Sequence, residues 1–206
     1  MPKGGVGKTT LTANLAVRAA RVYSDVALLD LDSGQGSLTA LWKLRDDPDN
    51  PRLFPDHTNV VDDLPVLEKL GFQLTLIDSP PAHLDLIEIA ILASDAVLIP
   101  IKPGILDIAA VKAVLEMCRE RRVPHALVLS DVDARFKIQN REALEILSEE
   151  APVLKTHVSH LAAYTAAFNE GKVGAEIDKR AKDEMDKLWL EVVALAKLPK
   201  PKRGRQ

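Results

Sequence analysis

Lys3-Gly4-Gly5-Val6-Gly7-Lys8-Thr9-Thr10 holds the densest set of groups able to do chemistry. Glycines let consecutive backbone N–H groups converge on phosphate oxygens, and a helix starting directly after them aims its positive N-terminal end at the same place. Lys8 has the length and charge to reach β/γ-phosphates, and the Thr9 hydroxyl suits Mg²⁺. The strict pattern Gly-x4-Gly-Lys-[Ser/Thr] is not met, because Pro2 stands at its first glycine; an extra lysine, Lys3, stands beside it. Gly4, Gly5, Val6, Gly7, Lys8, Thr9 and Thr10 are therefore the expected phosphate cradle.

Those side chains need a frame. Apolar runs at Val26–Asp30, Leu74–Asp78, Ala96–Ile101 and Ala126–Ser130, with a shorter one near Val153–Val158, read as buried parallel strands. Amphipathic stretches predict helices at about Lys8–Arg21, Ser37–Leu44, Val60–Leu70, Leu84–Ala93, Asp107–Arg121, Arg141–Ser148, Leu161–Glu170 and Lys179–Lys197. The alternation predicts an α/β fold, a mostly parallel doubly wound sheet flanked by helices. Asp46–Asn59, with Pro48, Pro51 and Pro55 among acids, reads as a surface loop. A phosphate loop of this type joins a buried strand to a helix, so a first strand ahead of Gly4 is expected and is missing from the 206 residues. The expectation is a reading frame that starts upstream with ~6–10 more residues, mostly Val, Ile or Leu, since a lost central strand would remove much of a total stability of ~5–15 kcal/mol.

Composition narrows the class. With 47% hydrophobic and 28% charged residues the chain is an ordered globular one, and collagen-like or low-complexity classes are excluded. No apolar run approaches the ~18–20 residues of a membrane span, which points to a cytoplasmic protein. Cys118 is a lone cysteine on an apolar helical pattern, so a disulfide framework within one chain is excluded. Five of the 27 basic residues lie after Ala196, which leaves the rest of the chain at −8 and divides it into a domain at 1–198 and a basic tail at 199–206.

The loop with its extra lysine resembles the ParA/MinD family of P-loop ATPases, whose deviant Walker A motif carries a signature lysine where this chain has Lys3. The resemblance runs through most of the chain. Asp30-Leu31-Asp32 before Gly36-Ser37-Leu38-Thr39 looks like the family's switch I, and Leu74–Asp78 followed by Ser79-Pro80-Pro81 like its Walker B and switch II. Pro100 and Pro103 with Leu106-Asp107, and Asn169-Glu170-Gly171-Lys172, also match its pattern. Pro2 and the short length resemble the small ParF-like partition members. The resemblance implies ATP and Mg²⁺ as cofactors, Lys8 and Thr9 on phosphate and metal, and Asp78 in the metal's water shell. It further implies that Asp32 orients the attacking water with Asp30 in support, and that Lys3 crosses to a partner's nucleotide in an ATP-bound homodimer. The implied work is weak ATP hydrolysis that positions or segregates a plasmid, chromosome region or protein cargo, with an adaptor of the ParB/ParG type, non-specific DNA binding and association with the nucleoid. Two alternatives stand beside it: a metabolic P-loop enzyme acting on a small molecule, and a MinD-like membrane-associated switch.

The chain departs from the family at switch I, where Ser33-Gly34-Gln35 replaces the usual Pro-Gln after Asp32. It also lacks an arginine between Arg141 and Arg180, where partition relatives bind DNA, leaving Arg119, Arg121, Arg122, Lys155, Lys172 and the tail as basic candidates. His157 and His160 would share a face if helical, without a third ligand nearby. Met185, Leu188, Val192 and Leu195, with Trp189 beside them, predict a core-facing final helix that Pro199 and Pro201 stop. Stable membrane insertion is not expected.

Overall fold

A computed structural model of the chain describes residues 5–32, 36–55, 59–80, 83–103 and 108–199. Helix α1 (Lys8–Ala19) leads to strand β1 (Val26–Asp30), then α2 (Ser37–Leu44), β2 (Arg52–Pro55), α3 (Val60–Lys69) and β3 (Leu74–Asp78). The second half runs α4 (Leu84–Leu92), β4 (Val97–Ile101), α5 (Ile108–Glu120), β5 (His125–Leu129), α6 (Lys137–Glu150), α7 (Ala162–Ala166), a 3₁₀ turn (Ala167–Glu170), α8 (Gly174–Ile177) and α9 (Lys179–Leu195). All strand pairs are parallel, in the orders β2-β1-β3 and β4-β5.

Burial follows the α/β pattern read from the sequence. Strand β1 is wholly buried, with Val26 and Leu28 on one face against α1 and α9, and Ala27 and Leu29 on the other against Val60 and Leu67 of α3. Ile99 and Ile101 pack with Leu115 of α5 and Leu147 of α6. Met185, Leu188 and Trp189 of α9 are buried as expected, Trp189 meeting Tyr23 edge-on at 6.2 Å. Cys118 is buried too, which pushes its thiol up to about 11.

Three expectations need correcting. Asp46–Asn59 is not all loop: β2 lies within it and adds a short parallel strand to β1, where Pro55 at the strand's last position removes an N–H at little cost. The run near Val153–Val158 forms only isolated bridges, Leu127 to Val153 and Val132 to Ser159, because the Lys155 and Thr156 N–H groups donate to the Glu191 carboxylate (2.8 and 2.9 Å). His157 and His160 share no helix face, since neither is helical; among the described residues no three or more His, Cys, Asp or Glu side chains gather to hold a metal ion by themselves. Helix ends also shift: α6 runs longer than Arg141–Ser148, and Leu161–Glu170 breaks into α7 and the 3₁₀ turn.

Within Asn169–Lys172 the backbone requires a glycine at position 171. Its φ is 65°, and a Cβ there would sit 2.2 Å from the Leu44 carbonyl oxygen, so only glycine fits against the end of α2.

Candidate nucleotide site

The carboxyl ends of β1, β3 and β5 converge on the start of α1. Gly5 and Gly7 take φ values of 100° and 93°, which glycine adopts without penalty, and the loop turns directly into the helix. No side chain caps α1 and no acid sits in its first turn, so its leading N–H groups and positive dipole end are left for an anion. Ser130, just beyond β5, donates its hydroxyl to the Val6 carbonyl at 2.7 Å and clamps the loop from one side.

On the other side stands Asp78, 2% exposed at the end of β3. The Thr9 hydroxyl donates to its Oδ2 at 2.7 Å and the Thr12 hydroxyl to Oδ1 at 3.3 Å. Burial pushes the Asp78 carboxyl up to about 6; the charge of Asp30 adds to this, while the two hydroxyls and the Lys8 ammonium pull the other way. Asp30 is Asp78's register partner on β1. Its Oδ1 accepts the Asp32 N–H (3.0 Å), and its Oδ2 accepts both the Thr39 N–H (3.0 Å) and the Thr39 hydroxyl (2.7 Å). Asp30 is thus a positioning residue that fixes the backbone of Asp32 and the first turn of α2.

The donor set fits a magnesium nucleotide: a hydroxyl and carboxylates supply hard oxygen, two buried acids lack a full counter-charge, and the open helix end takes phosphate. Of the residues expected from the sequence, Gly5, Val6, Gly7, Lys8, Thr9, Asp30 and Asp78 are brought together here. Thr10 contributes its carbonyl, which accepts from the Asn14 amide at 2.8 Å. Lys3 and Gly4 lie outside the described residues, as do Ser33–Gln35, Pro81, Leu106 and Asp107. Sequence reasoning missed Ser130 and Asn14. Ser130 could have been found as a polar residue ending an apolar strand; Asn14, fully buried and accepting the Ala175 N–H at 3.0 Å, stood out only as an amide on an apolar helix face.

Residues 1–173 match the CobQ/CobB/MinD/ParA nucleotide binding domain. The chain belongs to that family. ATP and Mg²⁺ are the family's cofactors. A curated relative, maintenance of carboxysome distribution protein A of Halothiobacillus neapolitanus, is 31% identical over 93% of each chain. Among solved structures, a plasmid partition protein of Borrelia burgdorferi B31 bound to AMPPNP superposes with a TM-score of 0.72 at 19% identity, covering 93% of this chain and 96% of that one. Cobyrinic acid a,c-diamide synthase of Mycobacterium smegmatis, bound to an ATP analogue and magnesium, superposes with a TM-score of 0.66 at 18% identity over 99% and 96%. These family members share the doubly wound P-loop fold seen here. No helix among the described residues is long and apolar enough to cross a membrane.

Proposed function

We propose that this chain is an ATP-dependent dimer switch that positions a cargo, in the manner of its partition-type relatives, with a protein assembly as the favoured cargo. The observation that carries the reading is the side-by-side placement of the buried acids Asp78 and Asp30 at the ends of β3 and β1, Asp78 accepting from the Thr9 hydroxyl of the phosphate loop and Asp30 from Thr39 and from the Asp32 N–H. A relative of matching length named for carboxysome distribution supports the cargo class. In this reading Lys8 and the loop N–H groups of Gly5–Thr10 hold phosphate, Thr9 and Asp78 hold Mg²⁺, the latter through water, and Asp32 orients the attacking water. Bound Mg²⁺ supplies charge neutralisation at the phosphates. Lys3 reaches the partner's nucleotide, so ATP joins two copies and its hydrolysis releases them; a small adaptor of the ParB/ParG type would act on that dimer.

Non-specific DNA is the proposed track, with the nucleoid as the place of action. A cleft of about 540 Å³ between residues 155–157 and α9 supports it. Glu184 is committed there to the Ser159 N–H and hydroxyl, Tyr164 and Arg180, and Glu191 to two backbone N–H groups. Lys155, Lys179 and Lys187 line the cleft beside Asp183 and form no salt bridge among the described residues, a pattern suited to a phosphate backbone. Arg119 and Arg121 are less free, bonded to the Glu150 carbonyl and to Glu88.

Sizing the protein with ATP, with ADP and without nucleotide, each with and without random-sequence DNA, tests the proposal. A dimer formed only with ATP, and DNA held only by that dimer, is the expected result. A monomer in all three nucleotide states would overturn it.

A further inference from the structure

Helix α6 is held to the body through Leu147, which packs in one cluster with Ile99 and Ile101 of β4, Leu127 of β5 and Leu115 of α5. Only Ala143 and Leu147 of its 14 residues are buried. At ~100° per residue, the row Lys137–Arg141–Glu145–Glu149, spaced four apart, runs along the face nearly opposite those two, and all four side chains are exposed. The neighbouring rows add exposed apolar residues, Ile138 (63%) and Ile146 (43%) on one side and Leu144 (41%) on the other.

Two bases followed by two acids is an unfavourable order for a helix on its own. Acids stabilise a first turn and bases a last one, whereas α6 has no acid in its first turn and no base in its last. Like charges four apart repel, so Lys137 opposes Arg141 and Glu145 opposes Glu149. The opposite-charge pair inside the row, Arg141 with Glu145, is 3.7 Å apart, 72% and 69% exposed, and in the weaker base-first order. Lys137 and Glu149 form no salt bridge among the described residues, while Glu150, off the row, is taken by Lys112 at 2.9 Å.

A charge order that opposes itself along one helix matches itself across two. In the commonest helix packing, rows spaced four apart on one helix run alongside those of the other. Two copies of α6 laid antiparallel about Ala143 bring Lys137 beside the partner's Glu149 and Arg141 beside the partner's Glu145, each twice by symmetry. Repulsion within the row is thereby offset by attraction across it, and the two helix dipoles oppose. We propose that α6 is a self-pairing surface, its outward row docking antiparallel on the same row of a second copy of this chain, with Ile138, Ile146 and Leu144 closing over the sides. A parallel arrangement would set base on base and acid on acid. A helix of 14 residues is about 21 Å long and presents too little surface for the ~1,200–2,000 Å² that stable interfaces bury. The pairing is therefore weak and salt-sensitive, absent at low micromolar protein in ordinary salt and filled where copies are crowded together. It uses no residue of the nucleotide site and does not rest on the nucleotide reading.

The test is sedimentation equilibrium without nucleotide, at protein concentrations up to ~500 µM in ~20 mM salt and again in ~500 mM salt. The unchanged chain is compared with an acidic row (Lys137→Glu with Arg141→Glu), a basic row (Glu145→Lys with Glu149→Lys) and an inverted row carrying all of these changes, whose net charge is unaltered. The unchanged chain is expected to dimerise in low salt with a dissociation constant on the order of 100 µM and to be monomeric in high salt. The acidic and basic rows each weaken self-association at least ~10-fold, because every attraction becomes a repulsion, yet mixed together they pair within ~3-fold of the unchanged chain. The inverted row also pairs with itself within ~3-fold. An unchanged chain that stays monomeric at ~500 µM in low salt overturns the pairing. So does an acidic or basic row that dimerises as well as the unchanged chain, or a mixture or inverted row that fails to dimerise while circular dichroism shows it folded. A dimer that survives high salt and every variant belongs to another surface and overturns it as well.

Discussion

The two polar regions of this molecule use charge in opposite ways. At the phosphate loop the acids are buried, mutually close and bound to hydroxyls: Asp78 to Thr9 and Thr12, Asp30 to Thr39 and the Asp32 N–H. At the α9 cleft Glu184 and Glu191 are bound to the neighbouring segment, and Lys155, Lys179 and Lys187 are left exposed and without a salt bridge among the described residues. A buried, coupled site fails when one member is removed, because its partners stay behind unsatisfied. An exposed lysine patch loses function in small, nearly additive steps that salt can mimic.

The sharpest way to break the comparison is at the lysines of the loop. Lys8→Ala is expected to lose ATP affinity by ~1,000-fold, since it removes the cation that meets phosphate within one chain, while Lys3→Ala keeps monomer affinity within ~3-fold and loses ATP-dependent dimerisation and hydrolysis. Titration calorimetry with sizing reads both; equal affinity losses would refute a cross-dimer lysine. Next in size is the joint between α2 and the segment that leads to α9. Gly171→Ala drives a Cβ into the Leu44 carbonyl and is expected to destabilise by ~3 kcal/mol or more in urea unfolding, without a specific change in nucleotide affinity per folded molecule.

Asp32→Ala links the two regions. It should bind ATP, hydrolyse it at least ~100-fold more slowly and accumulate as a dimer, which doubles the lysine surface presented to DNA. DNA retention by that dimer no better than by the ADP form would separate the switch from the track. Replacing Lys155, Lys179 and Lys187 together by alanine should leave ATPase activity unchanged and lower the salt slope of DNA binding by up to ~3, at ~0.9 per phosphate lost, each single change giving about a third of it.

The smallest effect tests a half-exposed pair for contrast. Arg45 binds both Glu176 oxygens at 2.6 and 3.0 Å. Burial alone would raise that carboxyl, but the guanidinium and the Val173 N–H outweigh it and hold it below its usual value. A depressed acid stabilises above its unfolded value near ~4.3 and loses that contribution as pH falls through the folded one. Arg45→Ala should therefore cost about 1 kcal/mol at neutral pH, limited by solvent screening, and the two stability curves should draw together as pH falls through the lowered folded value.

Most of the site was legible because its chemistry is local. Glycines that need positive φ, with a lysine and threonine after them, are set by a few consecutive residues, so Gly5–Thr9 could be named from their order alone, whereas Asp30 and Asp78 were named through the family resemblance. Strands β1 and β3 were equally plain, as short apolar runs between helical patterns. Where the reading failed, the deciding contact was distant. Arg52–Pro55 became a strand because β1 offered it an edge, and Val153–Val158 lost its ladder because Glu191, far along the chain, took two of its N–H groups. Ser130, Asn14 and Gly171 gained their roles from partners more than a hundred residues away. Local preference fixes which backbone shapes are cheap; only packing decides which buried donors and acceptors meet, and here that decided how the loop is clamped and which acids of α9 are taken up by the neighbouring segment.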